Sequence, residues 1–224
     1  MAADPHLAVA PALAGAPLGD APVAAVLVHG RGQDPGYMVE HLVDELGVPG
    51  VSYVLPVAGG NSWYPDRYTA PRAANEPWLS HALEACDAAV QRVVAAGVPA
   101  ERIVLAGFSQ GGCLVADLVA RRPRPYAGVA VLTGALVGPA GDVTPVAWLD
   151  GLPVFMATSR YDEWVALDRV QQTARAFAAA GADVTLRVSA DREHRIGQDA
   201  VAGVRDLLVR AGAPGSGERG TTGQ

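Results

Sequence analysis

The residues best suited to chemistry lie in the pentapeptide GFSQG at positions 107–111. It follows the apolar run 103–106 and precedes a helix-like stretch from Cys113 to Arg121. A serine between two glycines at this spacing is typical of a sharp strand-to-helix turn, where a Cβ at either flank would collide with neighbouring backbone. Such a turn holds the hydroxyl at the positive end of the helix. The pattern predicts that Ser109 is a nucleophile; a simple glycine-rich connector is the alternative.

A serine hydroxyl is a poor nucleophile without a general base, and the base needs a carboxylate to orient it. After a serine in this type of turn, the acid and then the histidine follow along the chain. Only one histidine, His194, comes after Ser109, in the polar loop 191–195 beyond a predicted strand. His194 is therefore the predicted base.

Asp162 is the predicted orienting acid. It follows the apolar run 154–157 after the four intervening residues 158–161, and so lies at the carboxyl end of a predicted parallel strand. Catalytic groups of open α/β sheets gather at that edge. The adjacent Glu163 remains an alternative, whereas Asp191 is less suitable because it shares a loop with His194.

Preorganised N–H groups must hold the negative charge that develops on the attacked carbonyl oxygen. The backbone of Gln110, directly after the serine, is one predicted donor, and the loop 29–33 after the first central strand should supply the other. Within that loop we assign the donor to Arg31, because the flanking glycines let the backbone approach a substrate. The Arg31 guanidinium could in addition attract an anionic substrate, and His29 is predicted to brace the turn by hydrogen bonds.

A regular framework must position these groups. Short β-branched runs alternate with longer amphipathic stretches, which indicates an α/β fold with a mostly parallel sheet covered by helices on both faces. The predicted strands are 23–28, 51–55, 103–106, 129–132, 154–157 and 184–188. The predicted helices are 37–46, 78–96, the stretch after Ser109, 167–180 and 196–211.

Three segments depart from this alternation. The main domain is predicted over 23–211, after an N-terminal segment, 1–22, that contains a short antiparallel hairpin at 7–18. The tail 212–224 is predicted to be disordered because it is rich in small and polar residues.

The stretch 56–77 is too long and too rich in proline for an ordinary connection. Its Trp63 and Tyr64 favour an ordered wall of a substrate pocket. A loop folded over a small core of its own is the alternative.

Composition narrows the function. The chain has 224 residues, enough for one domain with a substantial core, and its net charge of -6 argues against a nucleic-acid partner. Two cysteines are too few for a disulfide framework. The first 22 residues hold no Lys or Arg and are interrupted by prolines, unlike a secretory signal, and no apolar run reaches the ~18 residues of a membrane span. A cytoplasmic protein without stable membrane insertion is expected; the oligomeric state stays open, with a homodimer as one option.

The chain resembles the phospholipase/carboxylesterase family of α/β-hydrolases from about residue 23 to 208. The resemblance rests on four motifs, LVHGRG at 27–32, GNSWYP at 60–65, NEPW at 75–78 and IVLAGFSQGG at 103–112. It implies an α/β-hydrolase fold without a large cap domain and with no metal or cofactor. It also implies Ser109 as nucleophile, Asp162 as orienting acid and His194 as base, with Arg31 and Gln110 supplying the oxyanion N–H groups.

The chain departs from this family beside two of those residues. Family members commonly read Asp-Pro-His-Val around the acid, whereas this chain has DEWV at 162–165. A Pro-Gly turn commonly precedes the histidine, whereas this chain has ADREH at 190–194. Both changes alter the rim of the expected site, and Trp164 is predicted to narrow the pocket or to contact an aromatic group.

The combined expectation is a serine carboxylesterase that hydrolyses small or medium acyl esters and has a small-molecule ester as its partner. Two alternatives remain open. One is a thioesterase or lysophospholipase acting on long acyl chains, which would need a long apolar groove. The other is a non-hydrolytic member of the same fold, either an isomerase, a cyclase or a binding protein.

Overall fold

The computed structural model describes residues 4–141 and 146–212, which form a seven-stranded sheet with helices on both faces. The strands are β1 (Ala12–Gly15), β2 (Val23–Val28), β3 (Val51–Leu55), β4 (Ile103–Phe108), β5 (Gly128–Leu132), β6 (Pro153–Ser159) and β7 (Asp183–Ser189). The helices are α1 (Pro35–Met38), α2 (Asp44–Leu46), α3 (Trp78–Ala95), α4 (Gln110–Arg121), α5 (Leu167–Ala179) and α6 (Gln198–Gly212). A π-helical turn, Val39–Val43, joins α1 to α2, and short 3-10 turns lie at Gly59–Asn61, Arg72–Asn75 and Ala100–Arg102.

The strand order is β1-β3-β2-β4-β5-β6-β7, and every pair is parallel except β1 with β3. All residues of β2, β4 and β5 are buried, which explains their continuous apolar sequences. The predicted mostly parallel sheet is confirmed. Within the described residues no inserted domain forms a large cap over the carboxyl edge of the sheet.

Two hydrophobic cores lie on opposite faces of the sheet. Helices α3, α4 and α5 cover one face, where α3 buries a stripe at helical spacing that includes Leu79, Leu83, Val90 and Val93. Helices α2 and α6 cover the other face. Since α4 is buried along its length between β4 and α3, the turn that precedes it is held rigidly.

The predicted N-terminal hairpin is wrong. Residues 7–18 contribute a single strand, β1, which pairs antiparallel with β3 in the register Ala12 to Leu55 and Gly15 to Ser52. The prolines at positions 11 and 17 lack the N–H groups that a second hairpin arm would need, whereas the outer edge of β3 offers a complete row of backbone partners. The segment therefore extends the main sheet.

The predicted disordered tail lies outside the described residues apart from Gly212, which is the last residue of α6. Each helix in the described part of the chain is too short or too polar to traverse a lipid bilayer.

Candidate active site

Ser109 occupies the single-residue turn between β4 and α4. Its backbone has φ 55° and ψ -119°, a conformation that residues with a side chain rarely adopt. The Ser109 N–H donates to the Leu132 carbonyl at 2.9 Å, and the Ser109 carbonyl accepts from the N–H of Cys113 at 2.9 Å. These bonds hold the strained residue in place, as is common at functional sites.

The two glycines of the pentapeptide have the steric role that the sequence predicted. A Cβ on Gly107 would lie 2.3 Å from the carbonyl oxygen of Gly111. One on Gly111 would lie 2.2 Å from the oxygen of Val28 and 2.4 Å from that of His29. All of these contacts are with backbone atoms, in α4, at the end of β2 and in the residue that follows β2, and such atoms cannot move away easily.

We expect Gly111→Ala to lower the free energy of unfolding by about 3 kcal/mol or more, since the backbone must shift to admit the methyl group. Urea denaturation followed by circular dichroism measures the change. Gly197→Ala is the matched control, because its Cβ would meet nothing nearer than the Arg195 guanidinium at 3.9 Å. Equal midpoints for the two variants would contradict this account of Gly111.

The structure brings the three predicted catalytic residues together. The Oγ of Ser109 lies 2.7 Å from Nε2 of His194, and Nδ1 of His194 lies 2.7 Å from Oδ2 of Asp162. The other Asp162 oxygen accepts the backbone N–H groups of Trp164 at 2.8 Å and Val165 at 2.9 Å. All polar atoms of this chain of side chains therefore have partners of the right chemical type.

Burial of the Asp162 side chain by itself would raise its pKa, but the hydrogen bonds from His194, Val165 and Trp164 outweigh burial and lower the pKa below its usual range. The carboxylate is thus ionised at neutral pH. In that state it favours the His194 tautomer with a proton on Nδ1, which leaves Nε2 free to accept a proton.

Residues at the carboxyl ends of β4 and β6 hold His194 and its loop in position. The Ser159 hydroxyl at the end of β6 donates to the Glu193 carbonyl at 2.6 Å, and the ring of Phe108 lies 5.1 Å from the imidazole between centroids. Neither alternative acid bonds to the imidazole: Asp191 accepts the N–H of Glu193, and Glu163 faces the cavity in front of the serine. The geometry therefore favours Asp162 over both.

The turn 29–33 offers one unused backbone donor beside Ser109. The N–H of Gly30 donates to the Gln33 side chain, that of Gly32 to the Asn61 carbonyl, and that of Gln33 to the Gly30 carbonyl. The N–H of Arg31 has no partner among the described residues. A Cβ on Gly30 would lie 3.2 Å from the Ser109 Cβ, so this turn passes directly beside the serine.

The side chain of Gln110 has a role that sequence reasoning missed. Its Oε1 accepts the N–H of Trp63 at 2.9 Å and its Nε2 donates to the Tyr64 carbonyl at 2.8 Å. Gln110, the first residue of α4, thus connects the long loop 56–77 to the turn that contains Ser109. The signal available in the sequence was the glutamine directly after the serine. The structure shows that it is buried, and a buried amide needs hydrogen-bond partners.

The guanidinium of Arg31 also holds this loop. It donates to the carbonyls of Tyr64 at 2.9 Å, Pro65 at 2.8 Å and Asp66. Three backbone carbonyls therefore accept from this exposed side chain, and because carbonyls carry no net charge they leave its positive charge in place. Attraction of an anionic substrate by this charge stays a prediction. Asn75, fully buried, completes the attachment by accepting the N–H of Asp66 at 2.8 Å.

Trp63, predicted to line the pocket, does not do so. It is fully buried, its indole N–H donates to the His29 carbonyl at 2.8 Å, and its ring lies 5.0 Å from that of His29 and 5.3 Å from that of His6. A buried indole needs both an apolar environment and an acceptor, and both are available in the core. Trp63 therefore anchors the loop from within.

Two buried neutral histidines hold the same loop. His29 Nε2 accepts the N–H of Ala58 at 3.2 Å, and His6 Nδ1 accepts the N–H of Gly59 at 2.9 Å. The remaining ring nitrogens face the carbonyls of Gly30 at 2.8 Å and Trp63 at 3.1 Å. The predicted bracing role of His29 agrees with these bonds. Each imidazole must be neutral to accept from an N–H, and burial lowers the pKa of both histidines.

These two groups should make stability depend on pH. The unfolded chain takes up protons on them near pH 6.5, whereas the folded chain does so only at lower pH. The stability that they provide is complete above pH 6.5 and is lost as the pH falls below it. We expect the melting temperature to fall between about pH 7.5 and 5.5, by about 2–4 °C for each kcal/mol lost. His6→Gln keeps a donor and an acceptor without titrating, so its slope should be shallower; a flat profile in the parent protein would contradict the assignment.

A cavity of about 670 Å³ opens in front of Ser109 and His194. Trp164, 71% exposed, lines it, whereas Tyr64 borders it with only 1% of its surface exposed and so offers little contact area to a substrate. Burial raises the pKa of the nearby Cys113 thiol to about 11, so it stays protonated and does not compete as a nucleophile. The remaining lining combines apolar side chains with charged and amide groups, among them Phe108, Tyr68, Val165, Gln33, Arg67 and Glu163.

The comparison with known sequences agrees with this geometry. A sequence profile of the phospholipase/carboxylesterase family matches residues 19–210. The chain belongs to the phospholipase/carboxylesterase family. Membership of this family supports an esterase activity.

Individual proteins of known sequence or structure are also similar to this chain. A phospholipase/carboxylesterase from Dyadobacter fermentans is 32% identical, with a TM-score of 0.80 over 89% of this chain and 96% of that one. A carboxylesterase from Mesorhizobium loti, 22% identical, shares the fold with a TM-score of 0.70 over 89% and 93% of the two chains. A probable carboxylesterase of rice is 32% identical over 104 residues, which are 41% of this chain; the match spans only 39% of the rice protein.

Proposed function

We propose that the protein is a serine carboxylesterase that hydrolyses small or medium acyl esters through an acyl-enzyme on Ser109. The hydrogen-bonded series from Ser109 through His194 to Asp162, with both distances at 2.7 Å, carries the proposal. It lies at the floor of a cavity large enough for a small ester.

In the first half of the reaction, Nε2 of His194 takes the proton of the Ser109 hydroxyl as Oγ attacks the ester carbonyl carbon. The carbonyl π electrons move to oxygen, and the resulting oxyanion accepts hydrogen bonds from the N–H groups of Gln110 and Arg31. The tetrahedral intermediate then collapses. The C–O bond to the alcohol breaks, and the alcohol leaves with the proton from His194.

In the second half, water attacks the acyl-enzyme with His194 again acting as the base. The oxyanion forms at the same two N–H groups, the bond to Ser109 Oγ breaks, and the proton returns to the serine as the acid product leaves. Throughout, ionised Asp162 stabilises the imidazolium that forms on His194 in each half-reaction.

The make-up of the cavity favours small or medium substrates over long acyl chains. A long-chain thioesterase or lysophospholipase needs an extended apolar groove. Here the cavity of about 670 Å³ is bounded by charged and amide side chains, including Arg67, Glu163 and Gln33, as well as by apolar ones. A long alkyl chain would have to desolvate those groups without replacing their hydrogen bonds.

Labelling with a fluorophosphonate probe tests nucleophile activation, and mass spectrometry should locate the adduct on Ser109. A series of p-nitrophenyl esters from acetate to palmitate should give the highest kcat/KM at short or medium chain length, with the free acid as product. An adduct elsewhere, or none, would refute the nucleophile. A maximum at palmitate would favour the long-chain alternative, and a product other than the acid would favour a non-hydrolytic reaction.

A further inference from the structure

The cavity in front of Ser109 contains a positive charge that the mechanism above does not use. Arg67 lines the cavity and is exposed. No acceptor or carboxylate among the described residues binds its guanidinium; in particular, no ion pair links it to Glu163, the acidic residue that lines the same cavity. Elsewhere, Arg72, Arg121 and Arg124 each pair with an aspartate.

The backbone of Arg67 is well anchored although its side chain is unpaired. Its N–H donates to the Asp66 carboxylate at 2.7 Å, and its carbonyl accepts from the Asn75 amide at 3.2 Å and the Ala70 N–H at 3.0 Å. The preceding residues are fixed by Arg31 and Gln110 as described above. The backbone that carries Arg67 at the edge of the cavity is therefore fixed, so no ordering of the loop opposes the binding of a ligand there.

A second cation reinforces this wall. Arg31 also lines the cavity, and its three acceptors are carbonyls, which do not neutralise its charge. Among the described residues that line the cavity outside the triad, two carry a positive charge, Arg31 and Arg67, and one carries a negative charge, Glu163. This arrangement favours an anionic ligand over a neutral or cationic one.

The lining of the cavity also includes apolar side chains. Trp164 is 71% exposed, and Val165 and Phe108 lie beside it on the cavity surface. So large an exposed indole next to a nucleophile offers a surface for the hydrocarbon part of a substrate. The cavity thus combines an apolar surface, a cation and a nucleophilic serine.

We propose that the natural substrate is an ester that carries a free carboxylate, which Arg67 binds while the hydrocarbon chain packs on Trp164 and the ester carbonyl lies at Ser109. The proposal rests on the proposed esterase function and specifies its substrate class. A guanidinium can bind a carboxylate through two parallel N–H···O bonds, which gives direction as well as affinity. Arg67 is in this scheme a specificity-determining residue.

Two esters of equal acyl length test the proposal, monomethyl adipate with a free carboxylate and methyl hexanoate without one. Titration of the acid released gives kcat and KM for each. We expect the parent protein to have the lower KM for monomethyl adipate. Arg67→Gln should raise the KM ratio of monomethyl adipate to methyl hexanoate by about tenfold, the scale of one charge-assisted contact, with little effect on the kcat ratio.

Two further variants sharpen the test. Glu163→Gln removes the opposing negative charge and should move the same KM ratio in the opposite direction. Arg92→Gln removes an exposed positive charge at the end of α3, outside the cavity, and should leave the ratio unchanged. Opposite shifts from Arg67→Gln and Glu163→Gln are not expected of residues that merely support the loop.

Equal KM values for the two esters in the parent protein, or an unchanged ratio in Arg67→Gln, would overturn the carboxylate proposal while leaving the esterase function intact. Hydrolysis of neither ester, together with failure to label Ser109, would overturn both. If Arg67→Gln does not fold, the salt dependence of the parent protein decides. Raising NaCl to about 0.5 M should increase KM for monomethyl adipate alone, and an unchanged KM would refute the charge contact.

Discussion

Ser109→Ala should reduce kcat for ester hydrolysis by about 10⁶-fold, to the residual rate that binding and the oxyanion donors alone can provide. The variant lacks the hydroxyl oxygen that is hydrogen-bonded to His194 Nε2, so no acyl-enzyme forms. Binding of the ester depends on the cavity walls and should change little, so the loss should fall on kcat rather than on KM. Single-turnover and steady-state assays on a p-nitrophenyl ester measure both quantities.

The control for this variant is Ser80→Ala. Ser80 lies on α3 away from the cavity and its hydroxyl makes no hydrogen bond within the described residues, so its loss tests only the effect of removing a serine oxygen. Ser109→Ala keeps a Cβ at the same strained position, and circular dichroism should show an intact fold. Activity within tenfold of the parent would mean that another group forms the acyl intermediate.

The residues of the proposed triad could be predicted to lie together because the sheet is parallel. Ser109, Asp162 and the loop of His194 follow β4, β6 and β7, and the carboxyl ends of parallel strands share one edge. Continuous apolar runs identify such buried strands even without their pairing. Chain order and the single late histidine then identify the base, whereas the choice of Asp162 over Glu163 needed the structure.

The attachment of the loop 56–77 could not be predicted in the same way. It depends on side chains that bind backbone atoms far along the chain, as Gln110 does 47 residues from Trp63 and His6 does 53 residues from Gly59. Such contacts leave no periodic pattern of residue types in the sequence. Sequence reasoning therefore expected an aromatic wall and could not show that both Trp63 and Tyr64 are buried, with only Tyr64 bordering the cavity.

The N-terminal strand illustrates the same limit. The expectation of a hairpin at 7–18 implied extended backbone, yet the sequence does not identify the neighbouring strand. Pairing of β1 with β3 was decided by which sheet edge remained open, a property of the assembled fold. The sequence likewise could not show that the Arg67 guanidinium has no acceptor among the described residues, because this depends on which acceptors the neighbouring Arg31 binds.

Asp162→Asn is the second change with a large expected effect, a fall in kcat of about 10⁴-fold. In the parent protein one carboxylate oxygen accepts the N–H groups of Trp164 and Val165 while the other accepts from His194. An amide has a single oxygen. If that oxygen keeps the two backbone donors, its NH₂ group faces His194 Nδ1, which must then accept a proton instead of donating one.

The consequence is the wrong tautomer of His194. With its proton on Nε2, the imidazole donates to Ser109 and cannot take the hydroxyl proton, and no carboxylate remains to stabilise the imidazolium. Steady-state kinetics should show the loss in kcat, and the Ser109 adduct with a fluorophosphonate should form correspondingly slowly. Asp183→Asn makes the same change at an exposed position of β7 and should retain full activity. Equal rates for both variants would show that the 2.7 Å contact between Asp162 and His194 is structural, and Glu163 would then be the carboxylate to replace next.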